Sequence, residues 1–96
     1  MTSYILSPLA QRDLSDIWDY SNDQWGADQA ERYVRTLRRA IETSAANPRR
    51  DRPCDEVRPG YFKQSVGSHV LFYRRVEGVM DVVRILHQRM DFDRHL

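Results

Sequence analysis

The residues in this chain with chemistry to offer are its histidines and arginines. His69 opens the run HVLFYRR and His87 closes the run MDVVRILH; pairing of these runs through the turn at Glu77-Gly78 sets the two imidazoles opposite each other, with His95 beyond. Imidazoles titrate near neutrality and can serve as general acid and base, while guanidinium groups stabilise a phosphorane-like transition state. His69 and His87 with Arg89, or with Arg84 as the cation, therefore outline a metal-free ribonuclease. The same histidines have a plainer reading as strand-end hydrogen-bonders. A metal-dependent nuclease is not expected: Asp91 and Asp93 sit in a short C-terminal tail, and the one lysine, Lys63, falls on a central strand. No glycine-rich phosphate loop, nucleophile elbow or Cys-His pairing is present, and no cofactor is expected.

These residues must be positioned by very little protein. Ninety-six residues are one domain's worth, here expected to be a single domain over 1–96, with a modest core to which a partner can add stability. No apolar run approaches the ~18 residues of a membrane span, and MTSYILSPLAQRD lacks the order of a signal peptide, so a cytoplasmic protein without membrane contact is expected. The single cysteine, Cys54, excludes a disulfide framework and a multi-cysteine zinc site. The formal charge of +1 hides an asymmetry: the chain is acidic up to Glu31 and basic from Arg32 onward. Fourteen of the fifteen basic residues are arginines, which suit bidentate contacts to carboxylate or phosphate.

Periodicity predicts an α+β fold. SYIL (3–6) reads as a short strand, and Ser7-Pro8 as a helix N-cap with proline in the first turn. Ala10, Leu14, Ile17, Trp18, Ser21 and Trp25 trace one face of a helix ending at Gly26; Ala30, Tyr33, Val34, Leu37, Ile41 and Ala45 trace a second, stopped by Asn47-Pro48. The outer faces of this hairpin carry Asp13, Asp16 and Asp23 on the first helix and Arg32, Arg35, Arg38 and Arg39 on the second, read as solvated. Residues 48–60 read as a connector in which Cys54 is incidental. From Tyr61 the period becomes two, predicting a three-stranded antiparallel meander. A regular register places Phe62, Gln64, Val66, Leu71, Tyr73, Val83 and Ile85 on the face against the helices. Tyr61, Lys63, Ser65, Val70, Phe72, Arg74, Val82, Arg84 and Leu86 then fall on the other, a half-apolar cationic face that a monomer leaves wet and that invites a partner.

Assembled in order, the motifs resemble a known family. A strand, a Ser-Pro-opened helix with Asp16-Ile17-Trp18, the Trp25-Gly26 break, the Asn-Pro stop, Arg58-Pro59-Gly60-Tyr61, GSHVLFYR (67–74) and VVRILHQRMD (82–91) are similar to the ParE toxins. These are the toxin half of bacterial ParDE type II toxin-antitoxin modules in the RelE/ParE superfamily. The resemblance covers nearly the whole chain. It implies an inhibitory toxin that blocks DNA gyrase, is neutralised by a ParD-type antitoxin in a hetero-oligomer such as a heterotetramer, and contacts DNA only through that antitoxin. It also makes Arg89, Met90, Asp91 and Phe92 a candidate toxicity segment. RNA-cleaving members carry a basic residue near where this chain has Val70. Arg89 falls near their second catalytic arginine, but the tail Phe92 to Leu96 offers no tyrosine. A non-enzymatic toxin with a contact surface of Tyr61, Lys63, Val70, Phe72, Arg74, Arg84 and Leu86 is therefore expected. The alternative is a ribosome-dependent mRNA endonuclease of the RelE type using His69, His87 and Arg89.

Overall fold

In the computed structural model, which describes residues 3–96, the elements follow the predicted order. Strand β1 (Tyr4–Leu6) leads to helix α1 (Pro8–Trp25), where the Ser7 hydroxyl caps the first turn by accepting the Ala10 N–H at 3.0 Å. Gly26, at φ 91°, breaks the chain before helix α2 (Ala27–Ala46). A 3₁₀ turn (Pro48–Arg50) and strand β2 (Arg52–Pro53) follow. Then come β3 (Phe62–Val66), β4 (His69–Val76), β5 (Val79–His87) and a single helical turn α3 (Phe92–His95). No helix of the described residues is long and apolar enough to cross a membrane.

The sheet has five strands in the order β1-β5-β4-β3-β2, larger than the predicted meander at both edges. β1 lies parallel to β5 through Tyr4–Met80 and Leu6–Val82, and β2 extends the other edge by pairing with β3. Residues 48–60 are thus more than a connector. Cys54 is fully buried in a second core, its N–H bonded to the Tyr61 carbonyl, and burial with Glu56 beside it pushes its thiol pKa up.

The helices cover one face of the sheet. Ala10, Leu14 and Ile17 of α1 and Leu37, Ile41 and Ala45 of α2 pack on Leu71, Tyr73, Met80, Val82 and Ile85. The predicted register holds along β3 and β4 but changes on β5. Phe72 pairs with Arg84 whereas Tyr73 pairs with Val82, so Val83 is an extra residue in a β-bulge. The bulge exchanges two predicted positions: Val82 lies in the helix-side core at 0% exposure, and Val83 is half-buried with its carbonyl accepting the Ser7 hydroxyl at 2.7 Å.

The opposite face is not wet. Val70, Phe72 and Leu86 are buried beneath Cys54, Val57 and Tyr61 of the 54–61 loop and Phe92 and Leu96 of the C-terminal segment. Phe92 meets Phe72 edge-on with ring centroids 4.8 Å apart. The chain supplies its own cover because the loop and tail, polar by average composition, carry three and two apolar side chains at the needed places.

Two arginines of the sheet are consumed internally. Arg84 donates from Nε and Nη2 to the two carboxylate oxygens of Asp13 at 2.8 and 2.9 Å, and from Nη1 to the His95 carbonyl at 2.9 Å. Asp13 also accepts the Ile85 N–H at 2.9 Å. The expectations of a solvated Asp13 and of an Arg84 open to a partner are thus corrected: their side chains are 11% and 15% exposed. Arg75 donates to Asp51 at 2.6 and 3.0 Å and to the Ser44 carbonyl at 2.6 Å, while Tyr73 donates its hydroxyl to the same carboxylate at 2.7 Å.

Removing Asp13 leaves a mostly buried guanidinium and a strand N–H without their acceptor. Breaking one partner of a buried pair typically costs about 3–5 kcal/mol, so Asp13→Ala should lower the urea midpoint by the equivalent of several kcal/mol. A loss below about 1 kcal/mol would show the pair to be a surface contact. Truncation after His87 strips Phe92 and Leu96 from Phe72 and Leu86. The truncated chain should bind a hydrophobic dye and melt earlier than the full chain, with Phe92→Ala showing a fraction of the same loss.

Candidate functional site

β4 begins and β5 ends at one corner of the sheet, and this places His69 directly opposite His87. The imidazole rings stand nearly perpendicular, 84° apart in plane, with centroids 5.3 Å apart. Tyr33 of α2 reaches the same corner, its hydroxyl 2.6 Å from His69 Nδ1. That oxygen accepts the Ser68 N–H at 3.1 Å, so the phenol proton is free to go to Nδ1, leaving the His69 proton on Nε2. His87 Nδ1 accepts the Arg89 N–H at 3.1 Å, which selects the same tautomer for a neutral His87. The turn before His69 is built for this contact. Gly67 has φ 56°, and a Cβ there would lie 2.9 Å from the Tyr33 ring, so glycine is required both by conformation and by space.

Burial, and then repulsion from His87, lowers the His69 pKa from 6.5 to about 4, against a smaller opposing pull from Asp13. At pH 7 His69 is a neutral ring held at one nitrogen by Tyr33. A general acid must carry a proton to give, and a base with a pKa near 4 removes one weakly. Tyr33 itself is raised by burial.

The corner opens into a cleft of about 510 Å³ between α1 and the end of β5. Ile17, Ile85 and Leu86 contribute apolar surface, and Asp16, Tyr20, Trp25 and Met90 stand around them. Tyr20 and Trp25 are 61% and 63% exposed and stack edge-to-face at 6.1 Å, an aromatic pair facing solvent at the turn of the helical hairpin.

The expected contact surface is dispersed by the structure. Val70, Phe72 and Leu86 are core, Tyr61 packs over them, and Arg84 is held by Asp13. Arg74 stays half exposed, paired with Asp81 at 3.0 Å, and Lys63 bonds Glu56 at 3.4 Å. In the tail segment Arg89 and Asp91 are exposed, Met90 stands at the cleft and Phe92 docks on Phe72. Of the alternative catalytic set, His69 and His87 meet as the pairing predicts, while Arg89 reaches His87 through its backbone N–H. No group of three or more His, Cys, Asp or Glu among the described residues is placed to hold a metal ion.

Sequence reasoning missed Tyr33 as a partner of His69, and Asp13 and Arg75 as buried ionic groups. Signals for the last two were there. Asp13 is three residues after Ala10 and four before Ile17, which puts it at the border of the apolar stripe. Arg75 shares the strand face of Tyr73 and so points toward the helices. Tyr33 was legible only as an apolar-face aromatic, because its hydroxyl partner is fixed by a distant turn.

The sequence comparisons with known proteins agree on one family. The family model described as "ParE toxin of type II toxin-antitoxin system, parDE" matches residues 4–92. The toxin ParE1 of Mycobacterium tuberculosis is 63% identical over 94 residues, covering 97% of this chain and 96% of that protein. Two solved structures share the fold. "Chromosomal ParDE TA system from P. aeruginosa" has a TM-score of 0.79 at 21% identity, covering 91% of this chain and 96% of that one. The RelBE2 toxin-antitoxin complex of Mycobacterium tuberculosis has a TM-score of 0.68 at 19% identity, covering 91% and 98%. A match across nearly all of the two helices and the sheet, joined to this degree of identity, places the chain in the ParE toxin family of type II toxin-antitoxin systems.

Proposed function

We propose that this ParE-family toxin is a non-catalytic inhibitor of DNA gyrase, kept inactive in the cytoplasm by a ParD-type antitoxin. Family membership supports the toxin role, and the resemblance supplies the expected target and antitoxin. The observation that carries the non-catalytic reading is the state of His69, neutral at pH 7 and tied at Nδ1 to Tyr33. The cation best placed by sequence to meet a phosphorane, Arg84, spends its guanidinium on Asp13 and His95. An acid, a base and a free cation are the minimum for phosphodiester cleavage without a metal, and this corner offers them poorly. Antitoxin contact is one of folded-state recognition, so a saturating antitoxin raises the melting temperature by mass action, about 2.7 kcal/mol at 100 times the dissociation constant.

The state of His69 has a pH signature. Its unfolded-state pKa is near 6.5 and its folded pKa about 4, so the unfolded chain binds the extra proton between these values. The His69 contribution to stability is therefore present above pH 6.5 and is lost progressively as the pH falls toward 4. Urea midpoints should decline over that window in the parent chain and decline less in His69→Gln. An equal slope in both would show that His69 is not the group refusing the proton.

The target is tested with purified toxin in two assays run side by side. Gyrase supercoiling should be inhibited at micromolar toxin, with mRNA on translating ribosomes left intact, and His69→Gln should keep whatever inhibition its folded fraction permits. Ribosome-dependent mRNA cleavage that falls about 10²-fold or more in His69→Gln or His87→Gln, with supercoiling unaffected, would establish the nuclease reading instead.

A further inference from the structure

The cleft beside the histidine corner has a lining that gyrase inhibition leaves unexplained. Much of it is aromatic. Tyr20 and Trp25 of α1 stack edge-to-face, which leaves ring faces uncovered, Tyr33 joins them from α2, and Met90 adds a thioether. Helix α1 also brings carboxylates to the same wall. Asp13 is spent on Arg84, but Asp16, one turn before Tyr20, is exposed and has no ion-pair partner among the described residues. Neither a lysine nor an arginine borders the cleft among the described residues. The surrounding charge has the same sign, since residues 1–31 hold one arginine against six acidic side chains. Ser21 is 4% exposed, borders the cleft, and its hydroxyl makes no hydrogen bond among the described residues. No fully buried side-chain oxygen or nitrogen among them lacks a partner, so the sliver of Ser21 left open includes that hydroxyl, on the cleft side.

We propose that this cleft binds an organic cation: a guanidinium or ammonium head on a short apolar stem, as in a free alkylguanidine or alkylamine or in the side chain of an arginine or lysine. Aromatic faces attract such heads through the ring quadrupole, the more so as the head sheds water. Asp16 supplies the countercharge, and the Ser21 hydroxyl accepts one N–H of the head. Ile17, Ile85 and Leu86 receive the methylene stem, the part that an inorganic cation lacks. The volume, about 510 Å³, falls within the usual size of small-ligand sites. Other ligand classes fit worse. An anion meets no basic side chain here and is repelled by Asp16. A neutral apolar ligand takes the Ser21 hydroxyl out of water and gives it no donor in return. The inference is independent of the gyrase reading, because no part of the site calls on the target.

The test is titration of the isotope-labelled full chain with n-butylguanidinium, followed by amide shifts in the NMR spectrum. Ser21, Ser68 and the Trp25 indole N–H should shift together and saturate in the low-millimolar range or below. N-butylurea, which has the same shape and no charge, should bind about tenfold more weakly, having lost both the ion pair and the ring attraction. Trp25→Leu keeps apolar bulk and removes the ring, and should weaken n-butylguanidinium about two- to fivefold. Asp16→Asn should cost a similar factor. Asp19→Asn, an equal change of charge at an exposed position outside the cleft, should bind like the parent. All three positions are exposed or partly open, and spectral dispersion confirms that each variant folds; where Trp25→Leu does not, Tyr20→Leu replaces it. Agmatine and N-acetylarginine amide, run in parallel, support a free amine or a protein side chain as the source according to which binds tighter. Shifts that never saturate, equal affinity for N-butylurea, or equal losses in Asp16→Asn and Asp19→Asn would each overturn the proposal.

Discussion

The carboxylate of Asp13 is the point at which the helical hairpin, the sheet and the C-terminal segment are tied together. β1 covers only Met80 to Val82 of its neighbour, and beyond Val82 the edge of β5 has no strand beside it among the described residues. Ser7 serves the Val83 carbonyl and Asp13 serves the Ile85 N–H, so the start of α1 completes by side chains what β1 leaves unpaired. The bulge at Val83 belongs to the same arrangement, because it keeps Val82 in the core while Arg84 reaches Asp13 and the His95 carbonyl. Asp13 is also the anion that acts against the desolvation of His69.

A second clamp works at the other end of α2. The last-turn carbonyls of Ser44 and Ala45 receive Arg75, a cation at the negative end of the helix dipole, and Asp51 balances its charge while accepting the Tyr73 hydroxyl. Burial and the Asp51 bond drive the Tyr73 phenol well above its ordinary pKa, so it remains a donor at any physiological pH. Both clamps draw arginines out of the sheet. Of the arginines on β4 and β5, Arg74 alone remains half exposed.

Much of this architecture was legible in the sequence, and the places where it was not share a cause. Ser7-Pro8, Trp25-Gly26 and Asn47-Pro48 marked the helices because caps and breakers act locally. The His69–His87 pairing followed from one turn and a period of two. Val82 and Val83 were exchanged because an extra residue in a strand leaves no mark on an alternating pattern. The exposure of Val70, Phe72 and Leu86 was misjudged because Cys54, Phe92 and Leu96, scattered through polar segments, cover them. Side chains whose partners lie tens of residues away, such as Asp13 and Tyr33, were visible only as members of a stripe.

The parallel pairing of β1 with β5 carries a consequence for how the molecule is made. Ser7 and Val83 meet across 76 residues, and the sheet order places the first strand beside the last. While the chain is being synthesised the helical hairpin emerges early, with its apolar stripes exposed and no sheet to bury them. β1 acquires its neighbour only once β5 has left the ribosome. Such non-local closure is slow relative to local helix formation. The nascent polypeptide therefore passes through an interval in which its hairpin has no sheet to pack on, and the fold closes only after translation has passed the final strand.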